Sequence, residues 1–158
     1  MAEILIVPMG SEHLDAAALL EQLCFSHPWS KSALEETLKN PCAYFFAAEW
    51  EGKTIGYAGM HCACGECYID NIAVFPEYRR KGVASALLRS LIDCAKSENS
   101  QFLSLEVRPS NHGAIALYES FGFRREGVRK RFYSSPTEDA LIMTLPFANQ
   151  NCIPDMAI

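Results

Sequence analysis

Apolar side chains recur at three- and four-residue steps over residues 83–97, at Val83, Ala84, Leu87, Leu88, Leu91, Ile92 and Ala95. Ser85, Arg89, Asp93 and Lys96 fall on the other side. That stripe predicts a long helix with one buried face. Residues 68–75, just ahead of it, are β-rich and end at Pro76, whose missing N–H cannot continue a ladder. Residues 102–107 alternate with the strand period: Leu103, Leu105 and Val107 face one way, and Phe102, Ser104 and Glu106 the other. Residues 43–50 are aromatic and strand-like, 51–53 form a Glu-Gly-Lys turn, and 54–62 return, which predicts an antiparallel hairpin.

The remaining elements are shorter. Residues 3–7 read as a strand stopped by Pro8. Ser11 is placed to cap a helix whose Leu14, Ala17, Ala18 and Cys24 lie near one stripe, with Leu20 and Leu23 beside it. Pro28 and Trp29 interrupt the pattern, and Ser30 or Ser32 starts a second short helix through Leu34 and Leu38. Pro109 and Ser110 lead into a helix over 111–121 ended by Gly122. Strands follow at 127–133 and 140–145, separated by a Ser-Ser-Pro-Thr loop. Irregular alternation with early hairpins predicts an α/β protein with a mixed central sheet and helices on both faces. One domain over 1–146 and a tail over 147–158 is the expected organisation.

Composition narrows the class. A chain of 158 residues, 49% hydrophobic and 21% charged, describes one globular domain with a real core. No stretch approaches the roughly 20 apolar residues of a membrane span. Glu3 stands where a signal peptide would be basic, so secretion is not expected. A net charge of −5 argues against general nucleic-acid binding and is compatible with a basic partner segment. The odd count of seven cysteines points to a reducing, cytoplasmic setting. Cys62, Cys64 and Cys67 include a Cys-x-x-Cys. No second Cys or His pair follows at zinc spacing, so the stretch reads as a hairpin connection bending at Gly65, with no metal expected.

The strand over 68–75 therefore runs into Arg79, Arg80, Lys81, Gly82, Val83 and Ala84, which open the long helix. Unpaired N–H groups at a helix start, a glycine that lets an anion reach the backbone, and three cations together suit a phosphate. A nucleoside-triphosphate loop is excluded, because no Gly-Lys-Ser/Thr follows.

Arg79-x-x-Gly82-x-Ala84 resembles the pyrophosphate motif of the Gcn5-related N-acetyltransferases. NIAVFPEYRRKGVA, LSLEVRPSN and AIALYESFGF occur in the order and spacing of that family's ribosomal-protein alanine acetyltransferase branch, and HPWS near the start fits that branch too. The resemblance covers nearly the whole chain apart from the last dozen residues. It implies the acetyltransferase fold, whose two central strands splay apart to admit a thioester, with acetyl-CoA as cosubstrate. It also implies a protein N-terminus as acceptor, namely that of the eighteenth small-subunit ribosomal protein. Lysine side chains or a small amine are the alternative acceptors, and a non-catalytic acyl-CoA-binding or ribosome-interaction module is the alternative of another class.

The resemblance also assigns roles. Arg79, Arg80, Lys81, Gly82, Val83, Ala84 and Ser85 would hold the pyrophosphate, and Asn111 would also reach the cofactor. Ile72, Ala73 and Val74 would bond the pantetheine arm through their backbone. Glu106 matches the proton acceptor. From pattern alone it reads as a strand-edge carboxylate paired with Arg108 or solvent, and the resemblance is what turns it into a candidate base. Tyr118 matches the acid that protonates the thiolate; its plain reading is a core aromatic. Tyr133 falls where this group holds an aromatic near the incoming peptide, or is an edge-strand tyrosine.

Overall fold

The computed structural model describes residues 3–148. Seven strands form one sheet in the order β1-β2-β3-β4-β5-β7-β6. They are β1 (Leu5–Pro8), β2 (Ala43–Trp50), β3 (Lys53–Ala63), β4 (Glu66–Val74), β5 (Phe102–Val107), β6 (Arg124–Tyr133) and β7 (Glu138–Pro146). All neighbours are antiparallel except β4 and β5, whose parallel link is made by the crossover helix α3 (Val83–Ser97). Helices α1 (Leu14–Cys24), α2 (Lys31–Leu38) and α4 (His112–Ser120) complete the chain.

Strand alternation sorts the core into two layers. Phe45, Ala47, Tyr57 and Ala73 pack with Leu14, Ala17 and Leu20 of α1 and Leu34 of α2. Ala48, Ala58, Met60 and Val74 pack with Val83, Leu87, Leu88, Leu91 and Ile92 of α3, and Ile115 of α4 belongs to that layer. The stripe expected for α3 is the one buried. In α1 the buried set is Leu14, Ala17, Leu20 and Glu21, while Leu23 is 57% exposed, so the helix is turned slightly from the stripe read in sequence.

Two local readings are corrected. Ser11 does not cap α1: it opens a short 3-10 turn, Ser11–His13, whose cap position is Gly10. The His13 ring closes that turn, its Nδ1 accepting from the Gly10 N–H at 2.9 Å. Ser30 is the cap of α2 and accepts from the Ala33 N–H at 3.1 Å. The second correction concerns the cysteines. The link between β3 and β4 is the expected bend, with Cys64 and Gly65 at φ 54° and 79°, both left-handed as a two-residue hairpin turn requires. Across it Cys62 and Cys67 are ladder partners and form a disulfide, while Cys64 stays free; an all-thiol reading lacks this bond. The bridge closes a very small ring, worth about 2 kcal/mol by loop entropy. Reduction is expected to lower Tm by about 4–8 °C without unfolding the domain. Scanning calorimetry with and without reductant checks this, and an unchanged Tm would show that the bridge contributes nothing.

Residues 147–148 follow β7 directly, with the Phe147 N–H donating to the Gln101 carbonyl at 2.8 Å. The rest of the expected tail lies outside the described residues.

Candidate active site

Strands β4 and β5 pair only at Glu66, Cys67 and Tyr68, opposite Phe102, Leu103 and Ser104. Beyond Tyr68 and Ser104 they part. β5 continues along β7, and β4 is left with β3 on its other side. The V-shaped gap is the apex of a cleft of about 850 Å³. It runs between the N-terminus of α3 on one bank and α4 on the other.

The cationic turn forms one wall. Arg80 has φ 61° and Gly82 φ 83°, so two residues of the turn are left-handed before α3 starts. No side chain caps α3, and beyond its own chain neighbours nothing lies within 4 Å of where a Gly82 Cβ would stand. The first-turn N–H groups at Val83, Ala84 and Ser85 therefore border open space, which fits a pyrophosphate. Arg79 behaves differently from expectation. Its Nε donates to the Val74 carbonyl at 3.1 Å and its Nη2 approaches Cys24 Sγ at 3.5 Å, so its side chain ties the turn to β4 and α1. That contact also takes one carbonyl of the Ile72, Ala73 and Val74 segment. Ile72 and Val74 line the cleft; Ala73 turns its side chain into the α1 and α2 layer. Lys81 lies 5.9 Å over the Tyr78 ring and is not among the lining residues.

Glu106, Tyr118, Asn111 and Tyr133 meet in the cleft. Alternation along β5 turns Glu106 away from the buried Leu105 and Val107. Its carboxylate accepts from Arg129 Nε of β6 at 2.9 Å, not from Arg108. Arg108 instead lies 4.4 Å over the Tyr133 ring and donates to the carbonyls of Pro136 and Ser134 at 2.9 and 3.1 Å. Tyr118, two residues before the end of α4, packs its ring 5.7 Å from Phe123. Burial pushes its phenol up to about 12, helped by the nearby Tyr133. Burial likewise raises Tyr133 to about 12, with Glu106 adding to the effect and Arg108 opposing it. Asn111 caps α4 through Oδ1, accepting from the Ala114 N–H at 3.2 Å, so its helix-cap reading holds while it borders the cleft.

Two further groups of residues, not singled out in the sequence, flank the cleft. Ser26 Oγ donates to the Ser135 carbonyl at 2.9 Å, and His27 Nε2 meets Ser134 Oγ at 2.6 Å. The connection from α1 to α2 thus reaches the connection from β6 to β7, beside Phe25 and Tyr133, which line the cleft. Glu138 steadies that loop, accepting from the Ser110 N–H and Oγ at 2.9 Å each; the first of these bonds leads in holding its carboxyl low. Behind the other wall, buried Glu21 accepts from Asn71 Nδ2 at 2.7 Å, from the Trp29 N–H at 3.1 Å and from the Tyr57 hydroxyl. Burial raises the Glu21 carboxyl despite these donors. The one sequence signal for Glu21 is its place a turn after Ala17, on the buried stripe. The bridge between loops left none, because its partners lie more than a hundred residues apart. Among the described residues no group of three or more His, Cys, Asp or Glu is arranged to hold a metal.

The family model described as the acetyltransferase (GNAT) family matches residues 14–123. A protein of Bacillus subtilis (strain 168) is 40% identical over 136 residues, 85% of this chain and 90% of its own. The [ribosomal protein bS18]-alanine N-acetyltransferase of Escherichia coli (strain K12) is 38% identical over 145 residues, covering 90% of this chain and 97% of that protein. The crystal structure of the ribosomal-protein-S18-alanine N-acetyltransferase from Escherichia coli superposes with a TM-score of 0.84 at 36% identity, covering 94% of this chain and 98% of that one.

Proposed function

The chain belongs to the acetyltransferase (GNAT) family, and from that premise we propose that its acceptor is a protein N-terminus, the alanine of ribosomal protein bS18. It is an acetyl-CoA-dependent N-acetyltransferase. The observation that carries the acceptor reading is the bridge of Ser26 and His27 to Ser135 and Ser134. A cleft bordered by such a bridge, beside Phe25 and Tyr133, admits a chain end more readily than a lysine in mid-chain, whose flanking backbone needs a groove open at both ends. Such an acceptor places the work in the cytoplasm, in one catalytic domain over 1–146. Among the described residues no helix is long and apolar enough to cross a membrane.

Acetyl-CoA supplies a thioester carbonyl carbon open to attack. The open N–H groups after Gly82, with the Arg80 and Lys81 charges nearby, hold its pyrophosphate, and Asn111 supports the bound arm. Arg79 acts there through the shape of the turn. Backbone groups of Ile72, Ala73 and Val74 hold the arm along the unpaired edge of β4. The Glu106 carboxylate takes a proton from the α-ammonium, freeing the nitrogen lone pair. Tyr118 Oη would be the hydroxyl donor to the departing sulfur, and Tyr133 would pack against the acceptor.

Acetylation of a peptide array carrying free N-termini and lysines side by side tests the acceptor. Peptides with a free N-terminal alanine are expected to be modified at the α-amine, with kcat/KM at least about 10²-fold above blocked, lysine-bearing ones, the scale of about 2.7 kcal/mol in transition-state binding. Preference for lysine would overturn the acceptor reading. No turnover of any amine, with acetyl-CoA still bound, would favour a binding module.

A further inference from the structure

Glu106 is not the only carboxylate at the apex of the gap. The β3–β4 ladder slips between Gly59 and Met60: Gly59 faces Asn71 and Met60 faces Ile69. Asp70 is left as the extra residue of a β-bulge, the device that re-aims a side chain at a strand edge. It lines the cleft. Tyr68 and Ser104 are the last partners across β4 and β5. Asp70 and Glu106 each stand two residues beyond, one on either bank. Each has its own basic partner, Arg129 for Glu106 and His61 Nδ1 for Asp70. The Asp70 side chain is 24% exposed, and its carboxyl is raised by burial against the opposing pull of His61.

We propose that Asp70 is an acceptor-binding residue, the counter-ion that receives the incoming ammonium group across the gap from Glu106. This rests on the acetyltransferase reading above. An amine arrives mostly as a cation at neutral pH, since an α-amino group has a pKa of about 7.7–8.0. Glu106 is already engaged by Arg129, a full positive charge that weakens its pull on a second cation. His61 leaves Asp70 with oxygen lone pairs to spare, because one N–H satisfies only one of its four acceptor positions. The ammonium therefore docks on Asp70. One N–H bond then breaks toward the Glu106 carboxylate, giving a neutral amine and a neutral Glu106 carboxyl. Asp70 keeps its charge and holds a remaining N–H of the amine, which aims the freed lone pair away from β4 and into the cleft.

Initial rates with a short peptide bearing a free N-terminal alanine test the assignment. Asp70→Asn is expected to raise the peptide KM about 10-fold while kcat and the acetyl-CoA KM stay within about 3-fold, the split that marks lost binding shared by ground and transition states. Asp70→Glu keeps the charge and should restore the peptide KM to within about 3-fold of wild type. Asp70→Ser is the second neutral variant should Asn melt early, with the same rise in KM expected. An unchanged peptide KM in folded neutral variants overturns the proposal, and so does an equal rise in Asp70→Glu. If wild type acetylates lysine peptides and not α-amines, the acceptor reading falls, and the same variants judge Asp70 on the lysine KM.

Discussion

Glu106→Gln is expected to leave acetyl-CoA affinity unchanged and to lower the single-turnover rate of peptide acetylation by about 10²–10⁴-fold at pH 7. The amide is nearly isosteric, so Arg129 keeps an oxygen to bond and β5 keeps its pairing with β7. What is lost is the oxygen that takes the proton. The deficit has a direction with pH that a structural defect would not share. With an α-amine pKa of about 8, roughly 1% of the acceptor is neutral at pH 6 and about 90% at pH 9. A base is worth most where the amine is charged, so the gap between wild type and variant should narrow steadily as pH rises. Single-turnover rates are the observable, because product release can mask chemistry in kcat. A rate near wild type across pH 6 to 9 would remove Glu106 from the mechanism. A large deficit that does not narrow would assign it to packing or to acceptor placement.

What could be read from the chain follows a physical line between contiguous and distant information. The α3 stripe, the alternation of β5 and the turn from Arg79 to Ala84 are local, and each is where its pattern places it. The cationic turn and the helix start behind it were legible because their residues are contiguous in the chain. Pairings set by sheet register were not legible. Glu106 meets Arg129 because β7 brings β6 toward β5, and nothing near either residue in sequence says so. Asp70 faces the gap only because the ladder slips by one residue at Gly59 and Met60, and a slip inverts which face a side chain takes. The Cys62 and Cys67 pairing is a register fact as well: the visible Cys-x-x-Cys drew attention to Cys64, while the ladder joins the cysteines on either side of it. Arg79 shows that a residue can fall in a motif and still work through a side-chain contact that the motif does not contain.

Tyr118→Phe is expected to lower the single-turnover rate by about 10–10²-fold, with acetyl-CoA binding intact because the ring keeps its place beside Phe123. The size follows from the state of the phenol. Burial holds it at about 12, whereas a free thiol has a pKa of about 8.5. A proton moved fully from Oη to the departing thiolate would therefore run uphill. Tyr118 serves best as a hydroxyl that keeps its proton and donates a hydrogen bond to sulfur as negative charge develops, the final proton coming from the newly acylated nitrogen by way of solvent. A hydrogen bond to a charged group contributes about 1.5–3 kcal/mol, which sets the fold-change. The sign of the shift fixes the pH behaviour. Because the pKa is raised, the hydroxyl is protonated throughout pH 6 to 9, so the deficit should stay flat where that of Glu106→Gln narrows. A deficit that shrinks above pH 8 would mean the wild-type phenol ionises there, against the burial of its site. A folded Tyr118→Phe enzyme with wild-type rates would return this tyrosine to the core of the α4 layer.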